Sequence, residues 1–497
     1  MLFYQQTNGK WRLDGCSIPK GSCIEVINDA TGRITIQDFD GTVYASNILP
    51  TEFQYVLDGV VHNYSSQEEY ELKTSDFFVK ATPCSGLTKI FNSIAGKARL
   101  GEILMICIDN GGANGFAIQT TTNGTYDIDF GDAQRQIGVS ASAFTTQTAA
   151  NNLTAQVSHT YVENNGSGLG VWIPEWKVWA YTVRIYNASS PIKYFKVAKT
   201  SAQYTQQNSC VTCAEINVPS LVNISQMFSN GVSISPFRSP FLKKVNIYDA
   251  SNVTSSDYFA YNCGGFEDFN FPAMPLATSR TYAIYGTGLV NGTMNSLYSG
   301  GGSASYTYYL SNSGRVRTFS ITASDWGSTG STAYMFDTDT ALDEVHLPAG
   351  VGNDKNTNCT NMFYLCGNLK HISNLEFLGS RTLDCNWTNT FYRCENLAQP
   401  LTIGAKISKL SLGGSSTVPL PITGLILTNP NSTFGGSSPQ LDIQYCSGMD
   451  APALNAFFTA LPTQPVGSNK AIKITGCAGA GTCDTSIATV KNYIVQN

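Results

Sequence analysis

NMFYLCGNLKHI, residues 361–372, is followed by NTFYRCENLAQPL, residues 389–401. A constant offset of 28 relates Phe363 to Phe391, Tyr364 to Tyr392, Cys366 to Cys394 and Leu369 to Leu397. Repetition of one apolar spacing points to a structural unit stacked on itself, because a short unit cannot bury its own apolar face alone. The Phe/Leu pair recurs upstream at Phe336 and Leu342. Looser copies stand at Met227-Phe228 and at Tyr258-Phe259 with Phe266. Each copy is followed by a short alternating run, such as Glu344 to Leu347 or Lys370 to Ile372, which reads as one strand per repeat. A solenoid with a shared column of Phe, Leu and Cys is the expected architecture.

Composition agrees with that reading. Charged residues make up 13% of the 497-residue chain, against roughly 25% in an ordinary soluble domain. Gly, Ser, Thr, Asn and Tyr are abundant, which favours strands and turns. The net charge is −5 and no Lys/Arg block occurs, so the cationic stripe of a nucleic-acid binder is missing. No apolar run is long enough to span a bilayer. The start, MLFYQQTNGKWRLDG, has no basic segment leading into an apolar one, so neither a leader nor membrane insertion is expected. The 14 cysteines are then expected to be reduced and packed as small hydrophobes. Cys210-Val-Thr-Cys213 has the spacing of half a zinc site, but no second CxxC or HxxxH lies near it. No metal or other cofactor is expected.

Along the chain four regions separate. Residues 1–85 read as a small β domain, with a hairpin at Asp40-Gly41 and a closing helix in SSQEEYELKTSDFFVKA. Residues 86–205 hold strand-like runs, among them ILMICID, TYDIDFGD and WKVWAYTVRIYN, and predict a β-sandwich. Residues 206–450 carry the repeats, broken between about 273 and 330 by a Tyr/Gly/Ser-rich stretch that reads as an irregular insertion. Residues 451–497 predict a helix-strand-helix cap: apolar residues at 454, 457, 458 and 461, the strand KAIKITG, then Thr482 or Asp484 capping an apolar face at 487, 490 and 494.

Two resemblances attach to these segments. The N-M-F-Y-x-C-x-N-L core at 361–369, its copy at 389–397, and the ending ALNAFFTALP...KAIKITGCAGAGTCDTSIATVKNY resemble the BspA-type leucine-rich-repeat family. That family implies binding: it occurs in surface adhesins, and a form with this ending resembles bacteriophage structural proteins. TYDIDFGD followed by His159-Thr160-Tyr161 resembles the polycystic-kidney-disease-like sandwich, with Ala133 where that pattern has Gly. Residues 1–85 look like the virion-anchoring end of a phage fibre or adaptor.

Candidate chemistry is sparse. Asp127, Asp129 and Asp132 form the densest acidic group. Asp127 and Asp129 share a strand face, which could serve a glycan-cleaving pair or hold Ca²⁺; turn and solvent-facing roles are the simpler reading. GGGSAS at 300–305 lacks the Walker spacing and reads as flexible, and His346 and His371 read as surface residues on repeat strands. Tyr298, Tyr306, Tyr308 and Tyr309 form a cluster suited to recognition, including of sugars, although packing is the alternative. Trp172, Trp176 and Trp179 read as core or subunit contact.

The expectation is therefore a non-enzymatic virion protein, a fibre or tail-associated adhesin of a bacteriophage. Its N-terminal domain would contact other virion proteins, and its repeats would grip a host receptor or glycan. A homo-oligomer is expected, trimeric only by analogy with phage fibres. A bacterial cell-surface adhesin and a polysaccharide-degrading tail spike are the alternatives.

Overall fold

The two quoted segments are adjacent turns of one β-solenoid in the computed structural model: Phe363 stacks on Phe391 at 5.7 Å and Tyr364 on Tyr392 at 4.7 Å. The structure describes short strands and turns within residues 2–63, then residue 94 and residues 96–109, 114–146, 155–161, 170–173, 178–198, 210–229, 242–267, 269–435 and 439–497. The fold is mainly β, with a solenoid of about 13 turns and, among the described residues, two α-helices.

The rungs begin at Asn223, Ser255, Ser279, Ser305, Ser331, Asn358 and Asn386, which form one parallel ladder of bridges. In most rungs this first side chain accepts a hydrogen bond from the N–H two residues on, as Asn358 does from Thr360 at 3.1 Å and Asn386 from Thr388 at 3.1 Å. That local turn explains the Ser/Asn choice, since both carry a short acceptor. Every second N–H then points at the next rung. From the rung of Ser331 these are Thr332 to Asn358, Tyr334 to Thr360, Phe336 to Met362 and Thr338 to Tyr364, all at 3.0 Å or less. The alternation requires left-handed backbone at the fourth and eighth residues. Tyr258, Tyr282, Tyr308, Tyr334, Asn361 and Asn389 occupy the first of these positions with φ between 51° and 58°.

Inside the rungs the sixth residue is Phe228, Ala260, Ile284, Leu310, Phe336, Phe363 and Phe391, each at most 1% exposed. Three residues further along the rung, the ninth residue bolts one rung to the preceding one. Cys263 donates its thiol to Phe228 O at 3.1 Å, Ser313 its hydroxyl to Ile284 O at 3.3 Å, Cys366 to Phe336 O at 2.9 Å and Cys394 to Phe363 O at 3.1 Å. Burial pushes the thiols of Cys263, Cys366 and Cys394 up, so they stay protonated and remain donors. The eleven cysteines whose side chains are described are all free.

A second parallel sheet runs along the other side: Asn270–Phe271, Asn291–Met294, Thr318–Ile321, Glu344–His346 and His371–Ser373. The strands of both sheets pass without a break through residues 273–330. The expected insertion is instead two regular rungs, those of Ser279 and Ser305, in which Ile284 and Leu310 replace the Phe of the search pattern.

The region before the repeats continues into them. Strand Val211–Asn217 pairs antiparallel with Glu102–Ile108 and parallel with Lys244–Ile247. Strand Ile192–Ala198 reaches the first rung through the bridge from Tyr194 to Asn223. The upstream β module thus pairs with the first rung and with Lys244–Ile247, and one apolar core runs from Ile103 to Tyr493. Further upstream, Ile34–Asp38 and Val43–Ile48 pair antiparallel; the expected turn at Asp40-Gly41 lies outside the described residues. The helix expected in SSQEEYELKTSDFFVKA lies outside the described residues.

At the other end, helix Ala451–Ala460 starts at Asp450, whose carboxylate accepts from Ala453 N at 2.9 Å. It buries Leu454, Phe457 and Phe458, as its spacing predicts. The last expected helix is cut short and gives way to a strand. Only Ser486–Thr489 is helical, with Thr485 as its cap, and Tyr493–Gln496 pairs parallel with Lys470–Lys473. Left-handed Asn492 ends the helical path, and β-branched Ile494 and Val495 suit a strand. Val490 and Ile494 consequently face outward, 76% and 47% exposed.

Phe363, sandwiched between Phe336 and Phe391 at 5.4 and 5.7 Å, tests the column. Phe363→Ala is expected to cost about 3–5 kcal/mol, read as a lowered midpoint in urea unfolding of the full chain.

Candidate binding surface

The fourth position of four successive rungs is Tyr: Tyr258, Tyr282, Tyr308 and Tyr334, each half-buried on the outside of the solenoid. Because the rungs are hydrogen-bonded in register, the rings stack in one column, with centroid steps of 5.0, 4.7 and 4.4 Å and interplanar angles of 16°, 4° and 15°. A second column occupies the seventh position, where Tyr261 and Tyr285 stack at 5.0 Å and Tyr364 and Tyr392 at 4.7 Å. Between those pairs stand Ser311 and Asp337. The result is a tyrosine ridge along the solenoid axis.

Polar groups flank it. Ser279 Oγ donates to Asp257 Oδ1 at 2.5 Å and Thr281 N to the same oxygen at 2.8 Å. The Ser305 and Thr307 hydroxyls pair at 3.0 Å, and Thr307 reaches Ser331 at 3.3 Å. Burial raises the Asp257 and Asp337 carboxyls above the ordinary carboxylate value, although hydroxyl and backbone donors to Asp257, and hydroxyl donors to Asp337, pull the other way. Burial and neighbouring tyrosines also push the Tyr258, Tyr282 and Tyr308 phenols up, with Asp337 contributing at Tyr282 and Tyr308. The ridge therefore presents protonated hydroxyls, which donate and accept, beside carboxylates, which accept.

Of the four tyrosines singled out from the sequence, only Tyr308 lies on this ridge. Tyr306 and Tyr309 are 0% exposed and belong to the core, so they offer no surface. Tyr306 accepts from Tyr298 N at 2.9 Å beneath the Arg280 guanidinium. Tyr298 is half-buried against the 300–302 loop. That loop is not mere flexible sequence, since a Cβ at Gly300 would meet Tyr298 Oη at 2.4 Å. The ridge has a signature that apolar periodicity does not reveal: SSDY at 255–258, SRTY at 279–282, SYTY at 305–308 and STAY at 331–334.

The acidic trio does not converge. Asp127 accepts from Gly138 N at 2.9 Å and Asn187 Nδ2 at 2.9 Å, and Asp129 accepts from Gly131 N at 2.8 Å. Asp132 is buried and pairs with His159 Nε2 at 2.8 Å. His159 stacks on Phe130 at 4.2 Å, and Tyr161 donates to Phe130 O at 3.0 Å, so the FGDA turn and the His-Thr-Tyr run form one clasp. Among the described residues no group of three or more His, Cys, Asp or Glu could hold a metal ion. Cys210 and Cys213 pack into different apolar clusters, one with Cys107 and the other with Ile106 and Ile173. His346 and His371 sit on adjacent rungs, 6.4 Å apart. Trp179 packs against the core, and the Trp172 side chain and Trp176 lie outside the described residues.

Comparison with models of protein families, with curated proteins and with solved structures finds no match to this chain.

Two substitutions test these assignments. Asn361 and Asn389 make the same left-handed turn as the tyrosines, so Tyr308→Asn is expected to change stability by less than about 1.5 kcal/mol, whereas Tyr309→Ala in the core costs about 3–5 kcal/mol. In the clasp, Ala133 is left-handed with φ 69°, a strain of about 1–2 kcal/mol that glycine lacks. Allowing for the entropy glycine adds to the unfolded chain, Ala133→Gly is expected to gain about 0.5–1 kcal/mol in urea titration.

Proposed function

We propose that this chain is a bacteriophage virion structural protein, a fibre or tail-associated adhesin that attaches the particle to the host surface through its solenoid. On this reading residues 1–85 hold other virion proteins and residues 86–205 are a PKD-like sandwich that begins the solenoid. Residues 206–450 are BspA-type repeats that present the binding surface, and residues 451–497 close the array.

The tyrosine ridge is the observation that carries the reading. Tyrosine gives broad contact area and a hydroxyl at small entropic cost, the mixture typical of recognition surfaces. The turn itself does not need tyrosine, since Asn361 and Asn389 make it. What four tyrosines add over asparagine is surface for a partner. The acidic trio supports no rival hydrolytic reading, because each carboxylate is engaged in holding a turn or a strand.

Deleting the solenoid would strip Val211–Asn217 from Glu102–Ile108 and damage the module before it, so the test uses substitutions. Particles carrying Tyr282→Asn with Tyr308→Asn are expected to assemble normally and to adsorb to host cells at least about tenfold more slowly. Unchanged adsorption by assembled particles would reject the ridge as the attachment surface.

A further inference from the structure

Resting on the attachment reading, we infer that the ridge of Tyr258, Tyr282, Tyr308 and Tyr334 binds a neutral linear glycan lying along the solenoid axis, with one sugar unit to each rung.

Periodicity argues for a polymer. The ridge repeats the same aromatic edge at steps of 5.0, 4.7 and 4.4 Å, a distance comparable to the length of one hexose in an extended chain. A compact ligand would use one or two tyrosines, whereas a chain of identical units meets every rung alike. Side-chain choice at a fixed backbone turn argues that the tyrosines are there for a ligand. The inter-rung hydrogen bonds require this left-handed turn in every rung, and Asn is among the residues best suited to it, so what is particular to the ridge is the choice of side chain. Here four consecutive rungs carry Tyr at φ 55° to 58° where the next two carry Asn.

Chemistry selects the class of polymer. The rings face one another, so their faces are spent within the column and only edges and phenol oxygens remain for a ligand. Those oxygens both donate and accept, which matches hydroxyl-rich sugars. Asp257 and Asp337 add acceptors for further sugar hydroxyls. No Lys or Arg occupies the third, fourth, seventh or eighth position of these four rungs, so a polyanion such as nucleic acid or an acidic capsule has nothing to neutralise it. A proline-rich peptide would need clefts between aromatic residues, and rings stacked this closely leave none.

The purified full chain is tested against immobilised neutral glucans, mannans and galactans of increasing length, with an acidic polysaccharide and a proline-rich peptide as competitors. Affinity for one neutral glycan is expected to rise with oligomer length until the ridge is covered, and to be insensitive to salt. Tyr282→Asn with Tyr308→Asn is expected to lower that affinity at least about tenfold while the chain still unfolds in one cooperative thermal transition, and Asp337→Asn to lower it less. Absence of neutral glycan binding, tighter binding of either competitor, or affinity unaffected by the double substitution would overturn the inference. Slowed adsorption without glycan binding rejects the ligand and keeps the attachment reading; glycan binding with unchanged adsorption does the opposite.

Discussion

Hydrogen bonding between successive turns is the constraint from which the remaining features follow. In the rungs from Ser255 to Asn358, four N–H groups point at four carbonyls of the next rung, as between the rungs of Ser331 and Asn358. To turn alternate N–H groups the same way, the chain must adopt left-handed backbone at two fixed places per rung. Once that is done, register is locked, and any residue type repeated at one position becomes a column. Phe stacked on Phe in the core and Tyr stacked on Tyr outside are two outcomes of one geometry. The backbone polar groups, which would otherwise be costly to bury, are satisfied as the array grows.

That geometry explains what the sequence revealed and what it hid. The copies at Phe336, Phe363 and Phe391 were legible because large apolar residues recur with Cys or Leu at constant offsets. The rungs of Ser279 and Ser305 were not, because Ile284 and Leu310 fill the Phe site and Thr287 and Ser313 fill the Cys site. Burial at the sixth position and hydrogen bonding at the ninth are what the fold demands, and several residue types meet each demand. The ridge was missed for a related reason. Its tyrosines recur one per rung and are far apart in sequence, so a choice based on local clustering took Tyr306 and Tyr309, which are core, and Tyr298, which packs on the 300–302 loop, together with Tyr308, which is on the ridge. At the far end, helical spacing at 487, 490 and 494 was misleading because Asn492 turns the chain before the third of these residues.

The ninth position also changes the meaning of the cysteines. A low-polarity packing role accounts for their burial, but not for the recurrence of Cys263, Cys366 and Cys394 at the ninth position, three residues after the buried sixth. Each thiol there reaches back to a carbonyl of the preceding rung, and serine does the same at 313. Cys477 repeats the contact with Ile443 O at 3.0 Å near the end of the array. Such thiols act as weak donors within a column too narrow for a larger polar group. Oxidising one would remove the donor and its neighbour's partner together.

A division of labour between the inside and the outside of the rung then follows. Core positions are coupled to two neighbours each, so a change at Phe363 is felt at Phe336 and Phe391. The fourth position is coupled to the fold chiefly through its backbone, and the chain already uses Gln226, four tyrosines and two asparagines there. Surface chemistry can therefore alter rung by rung while the hydrogen-bonded frame stays as it is. An attachment surface gains from that independence, because its partner can change without refolding the protein that displays it. The β module upstream pairs with the start of the solenoid through Val211–Asn217 with Lys244–Ile247 and through Tyr194 with Asn223, so the rungs extend an existing hydrogen-bonded frame.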